Sequence, residues 1–133
     1  MRGFVAGLML MLAFGTLPVM AAKGSPEKLR VQINTSKRFP KAKLNVRFVE
    51  LVEDSRCPTD TNCVWAGNAK IKIKVTGFGR TQDLTLDTNG PTQSATALGY
   101  VIKLVGLTPH PRSNIRINRN GYVATFEATK LTR

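Results

Sequence analysis

The sequence predicts an all-β fold: a single small antiparallel β-sandwich or barrel of about seven strands, with one disulfide. Several short segments alternate apolar and polar residues with a period of two, which is typical of strands with one buried face. After the N-terminal apolar run, no segment of ten or more residues shows the apolar spacing of a helix. Turn-forming residues separate the segments at intervals of about 8 to 12 residues, the spacing expected of a sandwich or small barrel.

The clearest strand is residues 69–75, where Ile71 and Ile73 alternate with three lysines. Near the C-terminus, Asn120 and Gly121 separate two alternating segments, and Asn-Gly is a strong signal for a β-hairpin. Residues 93–98 are compatible with one short helical turn, and the segment Gly77-Phe78-Gly79 reads as a turn. The predicted strands are residues 29–34, 44–52, 69–75, 84–86, 100–107, 115–118 and 122–128.

Residues 1–22 have the pattern of a secretory signal peptide. Arg2 supplies the positive start, residues 3–17 form the apolar run, and cleavage is expected after Ala21 or Ala22. The alternative is an uncleaved membrane anchor, but the ~20 apolar residues of a spanning helix are reached here only by running through Pro18 and three glycines. Residues 23–133 are then expected to be a single all-β domain, periplasmic or secreted, without a lipidation cysteine.

The chain is strongly basic. It has 20 Lys and Arg residues against 8 Asp and Glu residues, a net charge of +12. Removal of residues 1–22 takes away Arg2 alone, which leaves 19 − 8 = +11. Such a charge favours anionic partners at long range, and it also favours solubility, so it does not by itself define a function.

Two cysteines, Cys57 and Cys63, are expected to form a disulfide because paired cysteines in exported proteins are normally oxidised. Their spacing differs from the Cys-x-x-Cys pattern of redox enzymes, which indicates a structural role. Trp65 follows two residues later and is in phase with the apolar side of the next strand. This parity predicts an inward-facing structural anchor packed on the disulfide; an exposed platform for a carbohydrate is the alternative.

The segment FVELVEDSRCPTDTNCVWAGNAKIKIKV, followed by GYVIKLVGLTPHP and GYVATFEA, resembles a family of small exported bacterial proteins. Its members share an acidic residue, Ser-Arg-Cys-Pro, a second cysteine and Trp-Ala-Gly leading into a strand. The resemblance covers residues 48–128 and implies an all-β envelope or lipoprotein-like domain, with no catalytic residues to transfer. This chain differs from the lipoprotein members because it lacks the lipidation cysteine, so membrane attachment is not implied.

The sequence offers little for catalysis. His110 is the one histidine and is flanked by prolines, and no second proton-transfer group is evident beside it. Glu50, Glu53 and Asp54 precede the first cysteine, but the adjacent Arg56 favours an ion-paired structural cluster. We therefore expect no enzymatic activity and no cofactor.

A metal site is not expected either. One histidine and two bridged cysteines cannot supply three protein ligands for zinc or copper. Asp54, Asp60 and Asn62 are the one set of oxygen ligands conceivable for calcium, but their spacing matches no calcium loop. Asp60 and Asn62 are expected to bond the backbone inside the disulfide loop instead.

The basic residues are the remaining candidates. Lys70, Lys72 and Lys74 share one strand face at intervals of about 7 Å, and with Arg116 they form the candidate anion-binding set. A solvated outer face, on which lysines also discourage strand aggregation, is the alternative interpretation. Two further basic groups are Lys37, Arg38, Lys41 and Lys43, and Arg112, Arg116 and Arg119.

These observations favour an exported, non-enzymatic binding or structural module of the cell envelope, whose basic face contacts anionic surface components. The alternative is a protein–protein interaction module, such as an inhibitor or an assembly accessory, that presents the disulfide loop or a sheet edge. Nucleic acid is not expected as a partner, because few aromatic residues accompany the basic ones. No integral membrane span is expected after signal cleavage.

Overall fold

The structure is a computed structural model that describes residues 26–131, together with Gly15. Apart from Gly15, the predicted signal peptide lies outside the described residues, so the signal and its cleavage site stay predictions. Within the described part of the chain, no helix has the length and apolar character needed to cross a membrane.

The fold is all-β, as predicted. Eight strands form two antiparallel sheets of four, with the strand orders β1-β8-β7-β6 and β2-β3-β4-β5. One short 3-10 turn, Arg119–Gly121, precedes the last strand. The strands are β1 Glu27–Gln32, β2 Ser36–Arg38, β3 Asn45–Asp54, β4 Ala69–Gly77, β5 Arg80–Asp87, β6 Ser94–Ala97, β7 Tyr100–Thr108 and β8 Val123–Lys130.

Alternation along the strands builds one core between the two sheets. In β4 the apolar residues from Ala69 to Val75 are buried and the lysines between them face outward, as the period of two predicts. β8 contributes Phe126 from the opposite sheet, and Phe39 and Phe48 add the other fully buried aromatic rings. Full burial of such side chains contributes about 1.5–3 kcal/mol each. Because these side chains pack between the two sheets, the hydrophobic core lies there and not at the disulfide.

Three local predictions are wrong. Residues 115–118 are not a strand and Asn120-Gly121 is not a hairpin turn: Asn118 caps the 3-10 turn by accepting a bond from the Asn120 amide. β8 already has β1 and β7 as partners, so the segment before it is left to cover the end of the sandwich. Residues 93–98 contain the short strand β6 rather than a helical turn.

The two ends of the sandwich carry different features. At one end, which we call the disulfide end, β3 and β7 terminate and β4 and β8 begin. At the other end, which we call the hairpin end, tight turns join β4 to β5 and β6 to β7. Glu27 at the start of β1 lies at the hairpin end, where its carboxylate accepts bonds from the amides of Lys41 and Ala42.

Candidate binding site at the disulfide loop

The predicted disulfide between Cys57 and Cys63 is present, with the two Cα atoms 5.9 Å apart. The chain on either side of the bridge is paired as well. The Ser55 amide donates to the Asn68 carbonyl at 2.7 Å, and the Cys57 amide donates to the Ala66 carbonyl at 3.1 Å. The loop is therefore tied across its base both covalently and by backbone hydrogen bonds.

Gly67 makes this close pairing possible. Its φ of +72° lies in the left-handed region that favours glycine, and a Cβ at this position would lie 1.9 Å from the Ser55 carbonyl oxygen. No side chain fits between the two arms of the loop. The Trp-Ala-Gly motif thus has a steric reason for its glycine.

The loop is also fixed to the segment that follows β7. The Thr59 amide donates to the Pro111 carbonyl at 3.0 Å, and Asp60 accepts bonds from the Ser113 amide at 3.0 Å and the Ser113 hydroxyl at 2.5 Å. The bonds from the Ser113 hydroxyl and amide lower the pKa of Asp60. Asp60 therefore bonds a distant segment, in contrast to the expectation that it bonds the backbone within its own loop.

Arg56 is the main connection between the loop and the sandwich. Its guanidinium forms two bonds of 2.8 Å with the Asp54 carboxylate and donates to the carbonyls of Leu107 at 2.6 Å and Pro109 at 2.9 Å. The two side chains are only 10% and 11% exposed. Arg56 thus joins the end of β3 to the end of β7, and Asp54 is ion-paired as the sequence indicates.

Tyr122 completes this network by donating its hydroxyl to Asp54 at 3.1 Å. Burial raises the pKa of Asp54, but the hydrogen bonds and charge of Arg56 outweigh burial, so this pKa lies below its ordinary value. Burial, and then the charge of Asp54, raise the pKa of Tyr122. At neutral pH the site therefore holds an ionised carboxylate and a neutral phenol, and both are engaged in structural bonds.

The prediction that Trp65 is a buried anchor is wrong: its side chain is 82% exposed, and its neighbour Val64 is 93% exposed. An inward Trp65 would require the alternation of β4 to extend back to this residue. β4 begins only at Ala69, and the left-handed Gly67 interrupts the alternation before it. The loop therefore directs Val64 and Trp65 into solvent at the disulfide end.

Other apolar side chains are exposed at the same end. Val52 on β3 and Ile115 in the segment before β8 both face solvent. Between them lies a groove of about 360 Å³, which Ile117, Arg119 and Tyr122 also line. The sequence does not indicate Val64 as a functional residue, because its exposure depends on the disulfide and the hydrogen bonds that fix the loop.

The lysine row is placed as predicted, on the outer face of the sheet that contains β4, but carboxylates surround it. Directly opposite residues share one face of an antiparallel pair. Lys72 lies opposite Glu50, with their charged atoms 3.9 Å apart. Lys70 lies opposite Glu53 and Asp87, and Lys74 lies opposite Asp83 and Arg47. Glu50, Glu53 and Asp83 therefore lie beside the cations of this face, whereas Asp87 is buried and accepts bonds from Asn68 and the Thr92 amide.

Arg116 is not part of this row. It is exposed in the segment between β7 and β8, at the disulfide end. The strand order therefore does not support grouping Arg116 with the three lysines in one anion-binding site. Anion binding by these residues stays a prediction.

The described residues contain no group of three or more His, Cys, Asp or Glu side chains able to hold a metal ion. His110 is exposed and lines a small cavity of about 200 Å³ with Arg56 and Gly106. The Arg56 guanidinium in this cavity is already hydrogen-bonded to Asp54 and to two backbone carbonyls.

Comparisons with protein-family models, curated proteins and solved structures find no match for this chain. The resemblance to small exported bacterial proteins therefore stays a prediction.

Proposed function

We propose that this protein is an exported, non-enzymatic binding module that contacts another protein of the cell envelope through Val64 and Trp65. The observation that carries the proposal is the 82% exposure of Trp65 on a loop fixed by a disulfide, an ion pair and several backbone bonds. An indole left in water contributes little to the stability of the fold. It offers a partner a large apolar surface.

The rigidity of the loop supports binding in a second way. Binding costs about 0.5–1.5 kcal/mol for each flexible side chain that must be immobilised, and a loop that is already fixed avoids much of the backbone cost. Trp and Arg are enriched among the residues that dominate protein interfaces. Here Trp65 is accompanied at the disulfide end by Arg112, Arg116 and Arg119, all exposed.

Location in the envelope is the part of the proposal that depends on the N-terminus. The signal-like pattern of residues 1–22 and the disulfide are both typical of exported proteins. Within the cytosol, glutathione and thioredoxin would keep such a pair reduced.

A carbohydrate is the second candidate ligand, since an exposed tryptophan can stack on a sugar ring. Val64 and Ala66 on either side of Trp65 carry no polar side-chain atoms, and Asp60 is occupied by Ser113. A sugar needs hydrogen-bonding groups beside the ring, and the side chains on either side of Trp65 supply none, which favours an apolar patch on a protein.

The anionic-surface hypothesis is less well supported at the lysine row. The carboxylates opposite Lys70, Lys72 and Lys74 reduce the net charge of that face. We therefore assign the partner contact to the disulfide loop and not to this face.

The proposal can be tested by replacing Trp65 with a photo-crosslinking phenylalanine analogue in cells that export the protein. We expect one discrete adduct with a second envelope protein on irradiation. The matched control is the same analogue at Val49, an exposed apolar residue in the middle of β3, where no such adduct is expected. Trp65→Ala should then weaken binding of the purified partner by about 30-fold, the effect of a hot-spot residue.

Three results would contradict the proposal. An adduct of twice the mass of the chain would assign the loop to self-association. Equal adducts at positions 65 and 49 would indicate nonspecific contact. Binding of Trp65 to envelope glycans, with no protein adduct, would favour the carbohydrate hypothesis.

A further inference from the structure

The hairpin end, opposite the disulfide loop, carries two turns of the same kind. Phe78 and Gly79 connect β4 to β5, and both have positive φ, 54° and 72°. Leu98 and Gly99 connect β6 to β7 with φ of 52° and 83°. Positive φ at both central residues is the signature of the type I′ hairpin turn. One concavity of about 330 Å³ is lined by residues of both turns, so they lie side by side.

The first position of each turn holds an apolar residue where asparagine or glycine is favoured. Left-handed backbone is uncommon for a bulky residue, because its Cβ crowds the backbone. Phe78 nevertheless occupies this position, and its side chain is 67% exposed. Neither turn geometry nor core packing accounts for a phenylalanine here.

Cations surround this apolar tip. Lys41 and Lys43 lie in the loop before β3, Arg80 begins β5, and Lys130 ends β8; all four are exposed. At the start of β1, Glu27 accepts bonds from two backbone amides, and the adjacent Lys28 pairs with Glu127. The four cations and Glu27 leave a local net charge of +3, whereas carboxylates of β3 and β5 lie opposite the lysine row.

The combination of apolar and cationic groups defines the chemistry of the ligand. Leu131, also exposed, lies beside the second turn, with its amide donating to the Gly99 carbonyl at 3.0 Å. A soluble polyanion would use the cations and leave Phe78 and Leu131 in water. A bilayer of anionic lipid uses both, because its headgroups attract Lys and Arg while its interface takes up aromatic and aliphatic side chains.

We propose that the hairpin end binds the surface of an anionic phospholipid bilayer, with Phe78 inserted and Lys43, Arg80 and neighbouring cations at the headgroups. This site is independent of the protein contact at the disulfide loop. The two sites lie at opposite ends of the sandwich, so one molecule can rest on a membrane and present Trp65 away from it.

The test is co-sedimentation of the purified protein with vesicles of phosphatidylglycerol and of phosphatidylcholine. We expect binding to phosphatidylglycerol vesicles that weakens as salt rises from about 0.05 M to about 0.5 M, with little binding to phosphatidylcholine. Arg80→Gln should weaken binding about five-fold, which corresponds to about 1 kcal/mol per cation at a membrane surface. The charge control is Lys103→Gln, which removes an exposed cation from the face of β7 and should leave binding unchanged.

Phe78→Asn separates insertion from simple charge attraction. Asparagine suits the left-handed turn better than phenylalanine, so the variant should fold, and circular dichroism and urea unfolding can verify this. We expect it to bind phosphatidylglycerol vesicles about ten-fold or more weakly, because the inserted ring is lost. Val49→Ala, the apolar control on β3, should bind like the wild type.

Equal binding to the two lipids, or full binding by a folded Phe78→Asn variant, would overturn the proposal. So would binding that depends on Lys103 as strongly as on Arg80. Dextran sulfate provides a further test as a soluble competitor. If it binds as tightly as the vesicles do, and if Phe78→Asn binds it as well as the wild type does, the hairpin end is a polyanion site instead.

Discussion

Removal of the Arg56 side chain is the sharpest test of how the disulfide loop is held. Arg56→Ala deletes four hydrogen bonds, two to the Asp54 carboxylate and two to the carbonyls of Leu107 and Pro109. Asp54 would keep its bond from Tyr122 but would lose its counter-charge in a site where it is only 11% exposed. Breaking a buried ion pair by removing one partner costs about 3–5 kcal/mol; because this pair is partly buried, solvent screening reduces the expected loss to the lower end of that range.

The assay is urea unfolding at neutral pH, followed by circular dichroism. The matched control is Lys72→Ala, which breaks the pair with Glu50; those two side chains are 55% and 57% exposed, so the expected loss is below about 1 kcal/mol. The double variant Asp54→Ala/Arg56→Ala should be less destabilised than the sum of the single variants, since no unpaired charge remains. A loss below about 1 kcal/mol for Arg56→Ala would refute the buried-pair interpretation.

Three further predictions concern the same end of the molecule. Because the pKa of Asp54 is lowered in the folded state, its contribution to stability is present above the ordinary carboxyl pKa of about 3.9 and is lost as pH falls through the depressed value. Urea midpoints between about pH 5 and about pH 2 should therefore drop in the wild type, and the drop should be smaller in Asp54→Asn. Reduction of the disulfide should lower the free energy of unfolding by about 2 kcal/mol, and an unchanged melting temperature under reductant would contradict this. Gly67→Ala should destabilise by about 2 kcal/mol or more, because its Cβ would overlap the Ser55 carbonyl; a stability equal to that of the wild type would contradict the tight pairing of the loop.

The strands that the sequence predicts well are those that bury one whole face. The alternation of Ile71 and Ile73 with lysines locates β4 correctly, because burial on one side imposes a period of two. The edge strand β6 cannot be recognised from the sequence, because Ser94-Ala95-Thr96-Ala97 contains only small side chains and carries little hydrophobic signal.

The candidate site was harder to predict, because its geometry depends on contacts distant in sequence. Whether Trp65 faces inward depends on where β4 begins, and the left-handed Gly67 precedes that start. The loop is also hydrogen-bonded to residues 111–113, which lie about 50 residues further along the chain. The charge of the lysine row likewise depends on strand order, which places acidic residues of β3 and β5 beside it. At the hairpin end, Phe78 between two glycines predicts a turn from the sequence, but its exposure is evident only in the structure.

The most direct test of the role of Trp65 is its intrinsic fluorescence, which is unambiguous because the chain has one tryptophan. In the free protein we predict the emission of a water-exposed indole, strongly quenched by acrylamide. Addition of the partner identified by crosslinking should shift the emission to the blue and protect it from the quencher. Emission that is already blue-shifted and protected in the free protein, or that is unchanged when the partner binds, would contradict a binding role for Trp65.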